Sequence, residues 1–420
     1  MQKINFKCAF CGGQKMDLIM DFGKVALAGS FLKPGDFKNE KKFPMRLCFC
    51  QDCFSVQIID IVPPSALFQN YFYFSSSIKT LRDHFRNYAQ EVTTRFLKPN
   101  ESTVLEFGCN DGVLLRPLAD YGIKNVIGVD PAENVVSSIS DDRIIVKNDY
   151  FTEKIAHEVV SEYGQIDMIM ANNVYAHIPD IKGVTNAVKI ALSDDGVFVF
   201  EVHYLGKVIN EMQYDMIYHE HLFYYSILSA IEHFKRYDMV VFDVKPIPIH
   251  AGSLRFYVGK RQGKHSKNIS DSVKLLEKEE RLKGYDDFRS FQEFANKVFN
   301  HKKELKSLLE KLKSQGFTIA GYGASGRANT MIQYCEITND IVSYMIDDAP
   351  AKHGFFTPGS HLEIFPSSVL LEEDAPDYVL VFAWSFFDEI LKRNKEYIDR
   401  GGCMIIPMPE VSIYSKSNLI

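Results

Sequence analysis

Nowhere in its 420 residues does the sequence hold an apolar run approaching the roughly 20 residues of a membrane span. The first residues, MQKINFKCAFCGG, lack the apolar core of a signal peptide. No long block of one charge sign occurs, and the net charge is −6. That argues against nucleic acid or an anionic membrane as the main partner. Repeats of solenoid length and low-complexity tracts are also missing. These absences leave a cytoplasmic globular protein, expected to be a monomer. At roughly 150 residues per domain the length predicts two or three domains, and 46% apolar residues are enough for real cores.

Eight cysteines are present. In a reducing compartment they fit metal or core roles better than a disulfide framework. Cys8 and Cys11 form one CxxC, and Cys50 and Cys53 form another after 38 intervening residues. Two such pairs predict a closed tetrahedral zinc site of structural type. The segment to about residue 65 is rich in Gly, Pro and Cys and lacks a long amphipathic helix, so metal would supply much of its folding energy. Cys48 is the competitor for the fourth position.

A helical stretch follows near SSSIKTLRDHFRNYAQEVTTRFL, and then strands alternate with helices. Strand candidates are 103–107, 125–130, 142–147, 167–173 and 196–202, with MVVFDV and SLRFYVG after them as a hairpin joined by IPIHAG. The alternation predicts a parallel sheet with helices on both faces. Seven strands ending in an antiparallel hairpin fit a class I methyltransferase domain. The expected division is 1–65 for a zinc-binding domain, 66–265 for the α/β methyltransferase domain, 266–315 for a helical connector and 316–420 for a second Rossmann-like domain. The chain's end is expected to be mostly irregular.

TVLEFGCNDGVLL (103–115) is a strand, a tight turn and a helix start. Gly108 and Gly112 let backbone approach a ligand, with Asn110 between them. Asp130 ends the next strand, where a carboxylate accepts from both ribose hydroxyls. NAD-binding folds use the same physics. Two features favour S-adenosylmethionine. Glu106, just before the turn, would repel a pyrophosphate but not a sulfonium ligand. Asp149, after Asn148, is placed for an adenine amino group.

The motifs CxxC with CQDCFSVQI, YFYFSSS with DHFRNYA, LEFGCNDGVLL, NNVYAHIPD, YHEHLFYYS, IHAGSLRFY, GYGASGRANTMIQYC and IDDAPAKHGFFTPGSH occur in this order. In them the chain resembles the sugar C-methyltransferases that act on nucleotide-linked ketosugars, over almost its whole length. Two places depart from the family pattern: FSVQI replaces Gly-Leu-Val-Gln-Leu, and Gly326-Arg327-Ala328 stands where Ala-Lys-Gly is usual.

The resemblance implies that YHEH faces the methyl donor. Methylation next to a ketone needs a base to remove the α-proton, and histidine suits it. His221 is assigned as that base, with Tyr218 and Glu220 orienting it or binding sugar oxygens. A tyrosine hydroxyl can stabilise the enolate, and Tyr71 and Tyr73 are the candidates by resemblance. His219 points the same way as His221 if the segment is extended. His250, Ser253 and Arg255 are expected to bring polar groups to the acceptor, and Asn173 and His177 to lie on the ligand edge after the fourth strand.

Gly321, Gly323 and Gly326 spell GxGxxG, with Asp347 after the next strand. Read locally this is a dinucleotide site, which keeps an NAD-dependent enzyme open as an alternative, beside O- or N-methylation. The resemblance implies instead that the helix start from Ser325 to Asn329 holds the pyrophosphate of a nucleotide-sugar.

Overall fold

In the computed structural model residues 6–63, 67, 74–249 and 251–418 are described. The first unit is an antiparallel sheet of β1 (Met16–Ala26), β2 (Lys42–Cys50) and β3 (Val56–Ile58). It contains no α-helix among the described residues, as its composition predicts. Its two CxxC pairs flank β1 and end β2, which brings the four cysteines to one end of the sheet.

The second unit has β4 (Thr103–Phe107), β5 (Asn125–Val129), β6 (Ile144–Lys147), β7 (Ile166–Asn172) and β8 (Leu192–His203). The two-residue β9 (Phe223–Tyr224) follows, then the hairpin β10 (Met239–Ile247) and β11 (Ser253–Lys260). The sheet order is β10-β11-β8-β7-β4-β5-β6, with β11 antiparallel to both neighbours. This is the class I methyltransferase arrangement. β4 is buried at all five positions because helices cover both faces, so its sequence is a continuous run rather than an alternation. The helix Ile181–Ala191 shows how the cover forms. Ile181, Val184, Thr185, Ala187, Val188 and Ala191 make one buried stripe, and the Asp180 side chain accepts from Gly183 N at its start.

The connector is two helices, Asp271–Leu282 and Phe288–Ser314. The longer one buries Phe291, Phe294, Val298, Leu305, Leu309 and Leu312, an apolar stripe at helical spacing. The last unit adds β12 (Ile319–Tyr322), β13 (Met345–Ile346), β14 (Ile364–Phe365), β15 (Tyr378–Val381), β16 (Cys403–Ile406) and β17 (Ser412–Tyr414). Their order is β14-β13-β12-β15-β16-β17. The end of the chain is therefore not irregular. β16 pairs parallel with β15, and β17 returns antiparallel. Both are short, and nonlocal pairing rather than periodicity makes them strands.

One connection crosses the units. β9 leaves the middle sheet and pairs with β3, giving the first sheet a fourth strand in the order β1-β2-β3-β9. No helix among the described residues is long and apolar enough to cross a membrane.

Candidate active site where three sheets meet

The sulfurs of Cys8, Cys11, Cys50 and Cys53 all lie within 4.8 Å of one another. Cys8 and Cys53 are 3.6 Å apart, as are Cys11 and Cys50. A zinc tetrahedron with bonds of about 2.3 Å needs sulfurs about 3.8 Å apart, so the residues fit the ion. Gly13 N donates to Cys11 Sγ (3.2 Å) and Gln57 Nε2 to Cys8 Sγ (3.1 Å), which suits thiolates. Cys48 does not join them. It is fully buried, and burial pushes its thiol up to about 12.

At the first Gly-rich turn Gly108 and Gly112 have φ of +66° and +74°. A side chain at Gly108 would run into Val174. Asp130, 8% exposed, accepts from Asn110 N (3.0 Å) and Ala132 N (2.9 Å), so it shapes the turn as well as bordering it. Ser75 N and Ser76 N donate to the side chains of Asn110 and Asp111, laying the preceding segment over the turn. Asn173 takes φ +55° just past β7. Asp149 is exposed at the rim and accepts from Tyr150 N.

Beneath the turn, Glu106 is 3% exposed and accepts from Asn172 Nδ2 at 2.8 Å. Burial raises its carboxyl to about 8, against the pull of that hydrogen bond. Glu106 Oε2 and Asn172 Oδ1 have no hydrogen-bond partner among the described residues. Two buried acceptors left over at the ligand edge of a parallel sheet suit a cationic amino-acid group. The residues therefore fit S-adenosylmethionine.

The YHEH segment is neither an extended strand nor a helix. His221 N bonds to Tyr218 O at 2.9 Å, closing a turn. The turn brings the ring centroids of Tyr218 and His221 to 4.0 Å, tilted by 37°, and that of His177 lies 5.0 Å from His221. His221 Nδ1 is 2.9 Å from Met216 O. Burial lowers His177 to about 4 and keeps it neutral, and raises Glu220 to about 7. His219 goes the other way. It is 1% exposed, and its Nε2 lies 3.0 Å from Pro44 O of β2. The expectation that it faces substrate with His221 required an extended segment, and the turn removes that condition.

Arg255 is not at a substrate mouth either. It is 1% exposed, with Nε 2.6 Å from Glu201 Oε1, Nη1 3.0 Å from Glu91 Oε2, and its guanidinium 3.4 Å from the Tyr88 ring centroid. Glu201 is fully buried and also takes His84 Nε2 at 2.9 Å. Two carboxylates consume the guanidinium, so no phosphate reaches it. Glu201 and His84 went unrecognised in the sequence. The signal was an acidic residue inside the apolar run VFVFEV, which requires a buried cation. Ser253 is 2% exposed and donates to Ile249 O (3.3 Å), closing the hairpin. Tyr71, Tyr73 and His250 lie outside the described residues.

At the second Gly-rich turn Gly323 has φ +95°, and a Cβ there would lie 2.6 Å from that of Ala383. Protein packing, not a ligand, occupies that space. The helix Gly326–Tyr334 follows, and Ser325 Oγ accepts from Ala328 N. Asn329, expected to hold phosphate, is 1% exposed and donates to Ala28 O at 2.5 Å. Thr330 donates to Ile217 O, and Gln333 exchanges two hydrogen bonds with the Ala26 backbone. Arg327 and Trp384 Nε1 both donate to buried Asp215. This helix thus joins the last unit to β1 and to the segment before Tyr218. Its first turn remains near the chemistry: a Cβ on Gly326 would lie 3.8 Å from the Tyr218 ring, and one on Gly29 3.5 Å from Glu220 Oε1.

Three family models match the chain: a zinc binding domain over residues 8–68, a methyltransferase domain over 81–250 and a C-methyltransferase C-terminal domain over 248–409. The chain is 29% identical over 415 residues to the C-methyltransferase NovU of Streptomyces niveus, covering 99% of this chain and 98% of that protein. Among solved structures, an S-adenosylmethionine-dependent methyltransferase of Anabaena variabilis is 15% identical, covering 44% of this chain and 96% of that one, with a TM-score of 0.34. The PH0226 protein of Pyrococcus horikoshii is 13% identical, covering 46% and 98%, with a TM-score of 0.35.

Proposed function

From the premise that the chain is an S-adenosylmethionine-dependent C-methyltransferase, with a zinc-binding domain before its methyltransferase domain and a C-methyltransferase C-terminal domain behind it, we propose that it methylates the carbon next to the ketone of a nucleotide-linked ketosugar. The observation that carries this reading is the 2.9 Å contact of His221 Nδ1 with Met216 O. A carbonyl only accepts, so Nδ1 holds the proton and Nε2 is the basic nitrogen. Carbon methylation needs such a base, whereas an amine needs far less help.

The bound donor supplies an electrophilic methyl group on its sulfonium. The chain's own part is proton chemistry. His221 Nε2 takes the α-proton, and the C–H electron pair moves into an enolate. Tyr218, packed against His221 at a tilt, fixes the ring and offers a hydroxyl to the enolate oxygen. Half-buried Glu220, its carboxyl raised to about 7 by desolvation, is a second donor while protonated. Neutral His177 adds no charge beside the base. The nucleotide's pyrophosphate lies at the start of the helix Gly326–Tyr334, near Ser325, where backbone N–H groups and the helix dipole favour anions.

The test follows deuterium entry next to the ketone of a nucleotide 4-ketosugar in deuterated water, with S-adenosylhomocysteine in the donor site. His221→Asn should bind both ligands and lose exchange and methylation by about 100- to 10,000-fold. Wild-type exchange in that variant would remove His221 from the role.

A further inference from the structure

The cysteine centre and the reacting turn belong to different sheets in sequence terms, yet a short path of contacts joins them. Gln57 is fully buried on β3. Its Nε2 donates to Cys8 Sγ (3.1 Å) and Ser55 Oγ (2.7 Å), and its Oε1 accepts from Ala9 N (2.9 Å). The same residue pairs through its backbone with Phe223 of β9, and Ile58 N donates to Leu222 O at 2.9 Å. Leu222 directly follows His221. A second contact path runs through Phe10, which lies between Cys8 and Cys11. Its ring is 5.0 Å from that of Phe223 and 5.4 Å from that of Tyr225, and the residue is 2% exposed. From β9 the contacts reach the other histidine, because Leu222 N and Phe223 N both donate to Ala176 O, beside His177.

We propose that the four-cysteine centre is a positioning device for the reacting turn, acting through Gln57 and Phe10 on β9, and not only a fastening for the first sheet. β9 is two residues long, and β3 is its one ladder partner among the described residues, with Ala176 O and the Tyr204–Tyr225 bridge beside it on the other side. Such a strand has little stability of its own. β3 sets one side of it, and β3 carries the side chain that binds the Cys8 sulfur. The donor edge has hydrogen bonds of its own. Glu106, Asp130 and the 108–112 turn are held by Asn172, Ala132, Asn110 and the Ser75–Ser76 backbone. Loss of the metal should therefore release the His221 turn while leaving the donor site formed. Gln57 is a positioning residue in this scheme and touches neither substrate nor donor.

The proposal rests on placing the chemistry at Tyr218–His221, but its test uses no acceptor, so it fails or stands apart from the identity of the sugar. The full chain is compared with and without chelator, and beside Gln57→Met. The measurements are zinc content, peptide-level hydrogen exchange and calorimetric binding of S-adenosylhomocysteine. In the metal-depleted chain, exchange should rise several-fold to about tenfold across 216–225 and at 174–177, the scale of a lost buried hydrogen bond or two. Peptides covering 103–115 and the S-adenosylhomocysteine affinity should stay as in the loaded protein. Gln57→Met should keep its zinc and still show faster exchange at 221–224. Unchanged exchange over 216–225 in zinc-loaded Gln57→Met overturns the proposal. So does loss of S-adenosylhomocysteine binding together with the metal, because the centre then holds the whole chain rather than the turn.

Discussion

The turns at 108–112 and 321–326 look alike in sequence. Each follows a parallel strand, uses a glycine at positive φ and opens a helix. Their surroundings differ. Around the first, buried acceptors on Glu106 and Asn172 remain unpaired among the described residues, and the ligand edge of the sheet stays available. Around the second, Arg327, Asn329, Thr330 and Gln333 are bound to Asp215, Ala28, Ile217 and Ala26. The first turn leaves acceptors open at the ligand edge of its sheet, and the helix after the second joins the last unit to the others. A Gly-rich turn specifies a backbone shape; what the shape serves depends on which chain segments arrive beside it.

The largest effect concerns the ion pairs that support the middle sheet, which carries the first turn. Arg255→Met should destabilise the chain by about 3 to 5 kcal/mol, since it leaves Glu201 buried without its guanidinium. Denaturant unfolding checks this. A normal unfolding midpoint with a raised acceptor KM would return Arg255 to substrate binding. Next in size, Asn329→Ala should cost about 1 to 3 kcal/mol by leaving the Ala28 carbonyl without its donor. Donor affinity should hold. If thermal unfolding stays put while the acceptor KM rises, the second turn is more of a ligand site than a joint.

The smallest effect sharpens the first turn. Glu106, raised to about 8 by burial, is mostly protonated at pH 7 before the donor binds. A cationic group beside it favours the carboxylate, so binding releases a proton, and donor affinity should climb from pH 6 to about 8 and then level. In the donor-free protein the sign is opposite for stability. A carboxyl raised in the fold contributes fully below about pH 4.5, and that contribution is lost as pH rises through about 8. Calorimetry of S-adenosylhomocysteine in two buffers of different ionisation enthalpy measures the release, and Glu106→Gln should abolish it. Equal release in wild type and variant would place the titrating group elsewhere.

Much of the fold was legible because its signals are local. Five apolar runs with helical stripes between them predict the parallel sheet, and paired CxxC spacing predicts the metal centre. The candidate site was legible where the backbone carries the information, as at Gly108 and Gly112. It was misread where a polar side chain was assigned by proximity in sequence. His219 and His221 are two residues apart, yet a turn sends His219 to Pro44 of β2 and His221 to Tyr218 and His177. Arg255 and Asn329 sit in motifs suited to ligands, yet Glu201, Glu91 and Ala28 take their donors first.

The sequence by itself determined the strands of the middle sheet, the paired cysteines and the two glycine turns, because spacing, periodicity and backbone freedom are properties of neighbours along the chain. Only the tertiary structure decided that β9 joins the first sheet, that His221 packs against Tyr218 while His219 bonds to Pro44, and that Arg255 supports the middle sheet from within. A buried polar group must be satisfied by whatever lies beside it. That partner comes from segments far along the chain, 175 positions away for His219 and 301 for Asn329, so no local pattern could name it.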